Sequence, residues 1–130
     1  MKTYIGIDLG GTNVRVAKVT EFGEVLSQVK GPSFGMEGPT KVMSNLKEMV
    51  REIPGWKDCS AIGVGVPGPV DKKSGSMVLS TNLKGFTGYP LADELSKEFG
   101  MPAFVDNDAN VAGLAEALVG AGKDKSVVYY

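Results

Sequence analysis

The sequence predicts an α/β domain in which helices cover a mixed sheet. Three apolar and partly alternating runs, at residues 4–9, 14–19 and 25–29, are joined by short turns, which is typical of an antiparallel meander. Helical and strand-like patterns then alternate along the chain, as they do in layered α/β folds. The 130 residues are enough for one domain with a substantial core.

Two amphipathic helices are predicted from apolar residues that recur at helical spacing. Pro39 suits the first turn of the first helix and Pro54 ends it, while Pro90 opens the second helix and Gly100 ends it. The apolar face of the first helix carries Val42, Met43, Leu46, Met49, Val50 and Ile53, and that of the second carries Leu91, Leu95 and Phe99.

Further elements follow from short apolar runs. Strands are predicted at 61–66 and 103–105, and 77–79 could form another short strand. A third helix is predicted at 109–119, and a β-prone run occupies 126–130. This last run has no turn or cap after it, so it is either a natural terminus or a strand that continues in a longer protein.

The charge balance argues against two classes of partner. The chain has 14 basic and 15 acidic residues, a net charge of −1, and no basic block, so we expect neither nucleic acid nor an anionic membrane surface as a partner. No apolar run is long enough to cross a membrane. Asp8 interrupts the N-terminal segment before a signal-like stretch can form, so we expect a cytoplasmic protein.

The chain has no histidine and one cysteine, which limits its chemistry. Without histidine, Ser-His and Cys-His nucleophilic machinery is excluded within these residues. Cys59 alone cannot form a disulfide framework or a cysteine metal cluster, and we expect it to be a small buried residue. Carboxylates are therefore the available groups for acid–base work.

The segment DLGGTN, at the end of the first predicted strand, has two interpretations. A β-hairpin with a Gly-Gly turn accounts for Gly10 and Gly11. It does not account for Asp8, which interrupts an apolar strand, or for the hydrogen-bonding side chains of Thr12 and Asn13. A phosphate cradle accounts for all five, because main-chain N–H groups converge on phosphate oxygens and a carboxylate can hold a hydrated divalent cation.

The segment GVGVPG, at 63–68, matches the spacing of a dinucleotide-binding loop, but it leads into a polar turn instead of a helix. We therefore interpret it as a buried strand followed by a rigid Pro-Gly-Pro corner. The corner, with Gly65 and Gly68, is either a plain turn or a place where main-chain groups meet a small polar ligand. In the polar loop beyond it, Asn82 is either exposed to solvent or a residue that hydrogen-bonds the hydroxyls of a ligand.

The segment VDNDAN places two acids and two amides at the end of a predicted strand. Asp108 is well placed to cap the helix that follows, which is the simpler interpretation. A cap explains only one of the acids, however, and ligands of open α/β sheets bind at the carboxyl ends of strands. A carboxylate there could accept a proton from a sugar hydroxyl, and Asn107 could bind neighbouring hydroxyls.

Four segments in this order, IGIDLGGTNVRV, IGVGVPGPVD, STNL and VDNDANVAGLAE, resemble the N-terminal lobe of the ROK family of bacterial sugar kinases and repressors. The resemblance spans residues 4–130. It implies the ribonuclease H-like fold of the actin, Hsp70 and sugar kinase ATPases, with the three-stranded antiparallel meander in a mixed sheet flanked by helices. It also implies that residues 1–130 form one lobe and that a second lobe, with the adenosine site and a zinc motif, lies beyond Tyr130.

The resemblance implies roles for the residues of the glycine turn. The phosphate-binding D-x-G-G-T motif of the family falls on Asp8, Gly10, Gly11 and Thr12, and Asn13 adds a donor beside it. Asp8 would orient Mg²⁺ through water.

The sugar end of the site is implied in the same way. The catalytic aspartate of the N-D-A-N motif falls on Asp108, and the asparagines that bind sugar hydroxyls correspond to Asn107 and Asn82. The corner with Gly65 and Gly68 borders the sugar in that family.

The implied function is that of a glucokinase-like enzyme, which transfers the γ-phosphate of ATP to the 6-hydroxyl of a hexose. We expect a homodimer for the full-length protein and no kinase activity from these residues alone, because half of the nucleotide site would be absent. A kinase for fructose, mannose or an N-acetylated amino sugar is an alternative.

Two further alternatives belong to other functional classes. The first is the sugar-sensing lobe of a ROK repressor. Such proteins carry a DNA-binding domain before this lobe, whereas the first strand is predicted to begin within four residues of Met1. The second is a non-catalytic ATPase lobe of the actin type, which would not need the hydroxyl-binding amides of N-D-A-N.

Overall fold

The computed structural model describes residues 2–107. Single-turn 3₁₀ helices occupy Gly35–Glu37 and Trp56–Asp58. The remaining elements, in chain order, are β1 (Thr3–Leu9), β2 (Asn13–Thr20), β3 (Val25–Pro32), α1 (Pro39–Glu52), β4 (Ile62–Gly65), β5 (Val70–Asp71), β6 (Ser76–Met77), α2 (Leu91–Phe99) and β7 (Ala103–Asp106). The elements predicted at 109–119 and 126–130, and with them Asp108, lie outside the described residues.

The main sheet has five strands in the order β3-β2-β1-β4-β7. The first three strands are antiparallel neighbours, and β4 and β7 are added in parallel to β1. The predicted meander within a mixed sheet is therefore confirmed. Strands β5 and β6 form a separate antiparallel ribbon between β4 and α2 in the sequence. None of the helices within residues 2–107 has the length and apolar character needed to cross a membrane.

The two helices form as their apolar periodicity predicts, and both pack on one side of the sheet. Helix α1 begins at Pro39, and α2 ends before Gly100, which adopts the left-handed conformation with φ of 68°. The apolar faces of both helices join Ile5, Ile7 and Leu9 of β1 in the main core. Strand residues of this core alternate with residues on the other side, as the period of two requires.

The opposite side of the sheet has its own small apolar cluster. It contains Tyr4, Ala17, Val19 and Ala61, with Phe104 packed against it. By strand alternation, Asp8 lies on the same side of β1 as Tyr4. Asp8 therefore lies on the side of the sheet that faces away from α1 and α2.

Two local predictions are refined by the structure. Strand β3 extends past the predicted 25–29 to Pro32, because Gly31 and Pro32 pair with Val14 and Asn13, and proline is acceptable in an edge strand. Of the possible strand at 77–79, only Met77 is part of a strand, and the two residues that follow are 56% and 57% exposed.

Cys59 and Trp56 are buried to different extents. Cys59 is buried, as predicted. Trp56 is half-buried at the border of the core, where its ring contacts Phe99 edge-on with centroids 5.1 Å apart.

Candidate functional site

The carboxyl ends of the parallel strands bring two of the predicted segments together. Asp8 of β1 pairs with Gly65 of β4, and Gly65 pairs with Asp106 of β7. Directly paired residues of neighbouring strands lie on the same side of a sheet, so the two carboxylates flank a residue that has no side chain. Two inter-strand spacings place their Cα atoms roughly 10 Å apart. Asp8 is half-buried and not fully enclosed.

The glycine turn is a hairpin connection, as the simpler interpretation of DLGGTN predicts. The main-chain N–H of Gly10 donates to the carbonyl oxygen of Asn13 at 2.9 Å. Neither Gly10 nor Gly11 has a positive φ, so the usual reason for a Gly-Gly hairpin turn does not apply. Gly11 is required by proximity instead, because a Cβ on it would lie 2.7 Å from Cβ of Asn82.

The loop that contains Asn82 rests directly on the glycine turn. A Cβ on Gly35 would lie 2.5 Å from the carbonyl oxygen of Gly11 and 2.9 Å from that of Asn82. The N–H of Lys84 donates to the carbonyl oxygen of Gly35 at 2.7 Å, and the fully buried Leu83 anchors the loop in the core. We call this meeting of the main chains of Gly11, Gly35 and Asn82 the backbone junction.

A pocket of about 310 Å³ opens at the backbone junction. Its walls are Gly11, Thr12, Met36 and Asn82. Thr12 is exposed there, so its hydroxyl is accessible to a ligand. The structure thus brings together two predicted phosphate-binding residues, Gly11 and Thr12, and the predicted sugar-binding residue Asn82, which follows Thr12 by 70 positions in the sequence.

The Pro-Gly-Pro corner is attached at both of its ends. The N–H of Val66 donates to the carbonyl oxygen of Asp106 at 2.9 Å, and that of Val78 donates to the carbonyl oxygen of Pro69 at 3.0 Å. Gly68 has a φ of 109°, a conformation that only glycine adopts readily. Strand β5 follows the corner, so the rejection of a dinucleotide-binding loop is consistent with the structure.

Asp106 is a site residue that the sequence reasoning did not single out. Its Oδ1 accepts the main-chain N–H of Asn107 at 2.7 Å and lies 3.9 Å from Nζ of Lys72. Asn107 itself is exposed at the edge of the sheet. The two acids of VDNDAN were the available signal, but only the strand pairing shows that Asp106 shares a row with Asp8.

A basic pair lies at the other side of Asp8 and was also missed. Arg15 of β2 pairs directly with Asp8 of β1 and with Lys30 of β3. A pocket of about 570 Å³ opens here, and its walls are Asp8, Asn13, Val14, Arg15, Lys30 and Gly31. The alternation of β2 and β3 was visible in the sequence, but their register was not.

The donor groups of the site restrict which metal ion it could hold. Within residues 2–107 there is no group of three or more His, Cys, Asp or Glu side chains arranged to bind a metal ion. A single half-buried carboxylate such as Asp8 suits a cation that keeps most of its water ligands, and Mg²⁺ is the common example. The residues present therefore fit a hydrated Mg²⁺ and do not form a closed cage.

The five-stranded mixed sheet has a glycine turn at the carboxyl ends of its parallel strands. This arrangement is that of a lobe of the actin, Hsp70 and ribonuclease H-like ATPase fold. The model of the ROK family matches residues 4–130. The chain therefore belongs to the ROK family, and the resemblance identified from its four motifs is confirmed.

Curated relatives include both kinases and repressors. The chain is 35% identical over 119 residues to the glucokinase of Thermotoga maritima, with 92% of this chain and 38% of the relative covered. It is 33% identical over 131 residues to a putative xylose repressor of Caldicellulosiruptor sp., with 97% of this chain and 33% of that protein covered. The chain thus spans about a third of the length of these relatives.

Among solved structures, the chain resembles a ROK family glucokinase from Streptomyces griseus in complex with glucose and AMPPNP. The TM-score is 0.75 and the sequence identity is 31%, with 92% of this chain and 38% of that chain covered. The sugar and the nucleotide analogue belong to that protein, and its fold is shared by this chain.

Proposed function

We propose that this chain is part of an ATP-dependent sugar kinase that transfers the γ-phosphate to the 6-hydroxyl of a hexose, in the manner of a glucokinase. Residues 1–130 would form its N-terminal lobe, and a second lobe would hold the adenosine and any structural zinc. The proposal draws support from the similarity to glucokinases over most of this chain. It also draws support from the arrangement of polar groups at one edge of the sheet.

The backbone junction is the observation that carries the proposal. A phosphate-binding turn and a sugar-binding loop must be adjacent in a sugar kinase, because the attacking hydroxyl and the γ-phosphorus have to meet within contact distance. In this chain, Asn82 and Gly11 are so close that a single methyl group on Gly11 would collide with Asn82. Asp8 and the strand end at Asp106 lie in the same row of the sheet.

The turn would bind the phosphates of the donor. The main-chain N–H of Gly11 and the side chains of Thr12 and Asn13 would supply hydrogen-bond donors, while the N–H of Gly10 closes the turn on the carbonyl oxygen of Asn13. Mg²⁺, held by Asp8 through water, would neutralise charge on the donor phosphates. Phosphoryl transfer depends mainly on such positioning and charge stabilisation, so the turn needs no nucleophile of its own.

The sugar would lie beyond the turn, towards β4 and β7. Asn82 and Asn107 would bind its hydroxyls, with Gly65 and Gly68 at its border. Asp108, the next residue after Asn107, would accept the proton of the attacking hydroxyl as a general base. Asp106 would fix the main chain immediately before these two residues through its bond to the N–H of Asn107.

Steady-state kinetics on the complete protein test this proposal. We expect ATP-dependent phosphorylation of at least one sugar in a panel of glucose, mannose, fructose and N-acetylmannosamine, with NMR of the product identifying the hydroxyl. Asp108→Asn should lower kcat by roughly 10²- to 10⁴-fold, the usual contribution of a general base. Asp93→Asn, at an exposed position in the first turn of α2, is the matched control and should leave kcat unchanged. A near wild-type rate for Asp108→Asn would refute the assignment of the base.

The second candidate function is a sugar-sensing lobe that binds sugar without phosphorylating it. The similarity to a putative xylose repressor over 97% of this chain favours keeping it. Calorimetry and the kinase assay distinguish the two functions, because a sensor would bind a sugar of the panel and consume no ATP.

For the kinase, we further propose a cytoplasmic homodimer, following the family resemblance.

A further inference from the structure

We propose that Met36 is a further sugar-binding residue, whose thioether side chain packs against the C–H groups on one face of the bound sugar. The inference rests on the proposed function, because it assumes that Asn82 binds sugar hydroxyls. It begins from the placement of one apolar side chain. Met36 is 63% exposed, and it is in the wall of the pocket at the backbone junction.

This placement sets Met36 apart from other apolar residues on the surface. In the part of the chain that the structure describes, the other large apolar residues that are exposed are Phe22, Val25, Leu26, Val78 and Leu79. None of them is in the wall of either pocket at the glycine turn. Single apolar residues on a surface are common, but one among the polar walls of a candidate site offers a surface that a ligand can remove from water.

The main chain just before Met36 is tied to both sides of the pocket. The N–H of Ser33 donates to the carbonyl oxygen of Thr12 at 2.9 Å, and the carbonyl oxygen of Gly35 accepts the N–H of Lys84 at 2.7 Å. Gly35 is buried, and a Cβ there would lie 2.5 Å from the carbonyl oxygen of Gly11. The side chain of Met36 therefore begins at a fixed distance from the turn and from the Asn82 loop.

The conformation of Phe34 supports the same conclusion. Its φ of 58° and ψ of 36° are in the left-handed region, which residues other than glycine rarely adopt. Such a conformation persists where the surrounding structure determines it, and it is found most often at ligand sites. Nζ of Lys41, in the first turn of α1, lies 4.5 Å from the centre of the Phe34 ring. The turn at Phe34 buries Gly35 in the junction and leaves Met36 exposed in the pocket.

The walls of the pocket fit a sugar ring. Thr12 and Asn82 offer a hydroxyl and an amide, and Met36 offers an apolar surface. A phosphate is polar on every side and gains nothing from a thioether, whereas a sugar ring has hydroxyls at its edge and C–H groups on its faces. The volume of about 310 Å³ is at the lower end for small-molecule sites, which suits a monosaccharide. One sugar can therefore bind Asn82 and pack on Met36 together.

Calorimetric titration of the complete protein with glucose, mannose, fructose and N-acetylmannosamine, each without nucleotide, tests this contact. For the sugar that binds most tightly, Met36→Ala and Met36→Gln should each raise Kd by about three- to tenfold, since burial of one CH₂ group changes affinity by about fourfold. Met36→Gln keeps the length of the side chain and removes its apolar character. Met36→Leu keeps an apolar surface and should stay within about twofold of the wild type.

Leu26→Ala is the matched control. Leu26 is 48% exposed on the edge strand β3 and is in the wall of neither pocket, so the Kd of the sugar should stay within about twofold of the wild type. Thermal unfolding of each variant confirms that it is folded before titration. In steady-state kinetics, Met36→Ala should raise the KM for the sugar and leave kcat and the KM for ATP unchanged, as loss of a binding contact does.

Four results would overturn the contact. They are the absence of binding for all four sugars, wild-type affinity in Met36→Ala or in Met36→Gln, and a loss of affinity in Leu26→Ala as large as in Met36→Ala. The fourth is a higher KM for ATP in Met36→Ala with unchanged sugar affinity, because the pocket would then hold the phosphate donor.

The experiment separates this inference from the kinase proposal. If no sugar is phosphorylated but sugar affinity falls in Met36→Ala and Met36→Gln and not in Met36→Leu, the contact stands and the kinase proposal fails. If the protein is an active kinase and the Met36 variants bind sugar like the wild type, the kinase proposal stands and the contact fails.

Discussion

The ammonium nitrogen of Lys72 lies 3.9 Å from Oδ1 of Asp106. The same oxygen accepts the main-chain N–H of Asn107 at 2.7 Å. Lys72 is in the turn between β5 and β6, so the contact joins that ribbon to the end of β7. The position of Asn107, a proposed sugar-binding residue, therefore depends on a carboxylate that is held from two directions.

We expect the two partners of this contact to contribute unequally to stability. Asp106→Ala should lower the free energy of unfolding by about 1–3 kcal/mol, because it removes a charged acceptor from a main-chain donor. Lys72→Gln should cost less than about 1 kcal/mol, since the side chain of Lys72 is 43% exposed and such ion pairs are weak. Urea denaturation measures both. A larger loss for Lys72→Gln than for Asp106→Ala would contradict this account of the contact.

The backbone junction predicts that Gly11 does not tolerate a side chain. Gly11→Ala would place Cβ 2.7 Å from Cβ and 2.9 Å from the carbonyl oxygen of Asn82, so the loop must move. We expect a loss of about 1–3 kcal/mol in the free energy of unfolding, typical of overpacking. Gly31→Ala is the control, because the nearest atom to its Cβ would be Cε of Met49 at 3.8 Å. Wild-type stability for Gly11→Ala would show that the loop is not held against the turn.

We expect the buried thiol of Cys59 to make the protein less stable at alkaline pH. Burial raises the pKa of its thiol, and the hydrogen bond from Thr3 and the charge of Lys18 lower it only in part. Because the folded-state pKa lies above the unfolded value, the thiol contributes to the free energy of unfolding. That contribution is complete below the unfolded pKa of about 8.5, and it is lost as the pH rises through the folded pKa.

The measurement for Cys59 is the pH dependence of urea denaturation from pH 7 upwards. Between about pH 8.5 and the folded pKa, the wild type should lose stability that Cys59→Ala does not lose. Burial also raises the pKa values of Tyr4 and Tyr89, with Glu21 and Glu94 as further causes, but these residues are present in both proteins and their effects cancel. Parallel pH profiles for the two proteins would show that the thiol titrates normally.

A pair of leucines tests where the main core lies. Leu46 of α1 is fully buried, and Leu46→Ala should lower the free energy of unfolding by about 2–5 kcal/mol. Leu79 is 57% exposed, and Leu79→Ala should change it by no more than about 0.5 kcal/mol. Equal losses for the two variants would mean that Leu79 is covered in solution.

Patterns that repeat along one element were sufficient to predict that element. The apolar spacing from Val42 to Ile53 predicts a helix that begins at Pro39, and α1 begins there. The alternating runs of the first 29 residues predict the meander, because a strand shows one side of its sheet at every second residue. The family and its fold were recognisable because four short motifs occur in one order.

Relationships between elements could not be predicted from such patterns. The pairing of Arg15 with Lys30 depends on the register of β2 and β3, which shifts at a bulge between Lys18 and Val19. The closeness of Gly11 to Asn82 depends on how a loop returns to the sheet after 70 intervening residues. The predicted role of Asp108 lies outside the described residues and stays a prediction.

Where the main chains of Gly11, Gly35 and Asn82 touch, three separate stretches of polypeptide limit one another's length. An insertion or deletion in any of them would separate the chains, whereas exchanges at outward-facing positions such as Thr12 and Met36 leave their spacing unchanged. We therefore expect related proteins with other ligand preferences to differ here in their side chains and to keep the lengths of these loops. An engineer who varies this protein should randomise the rim and keep the two glycines.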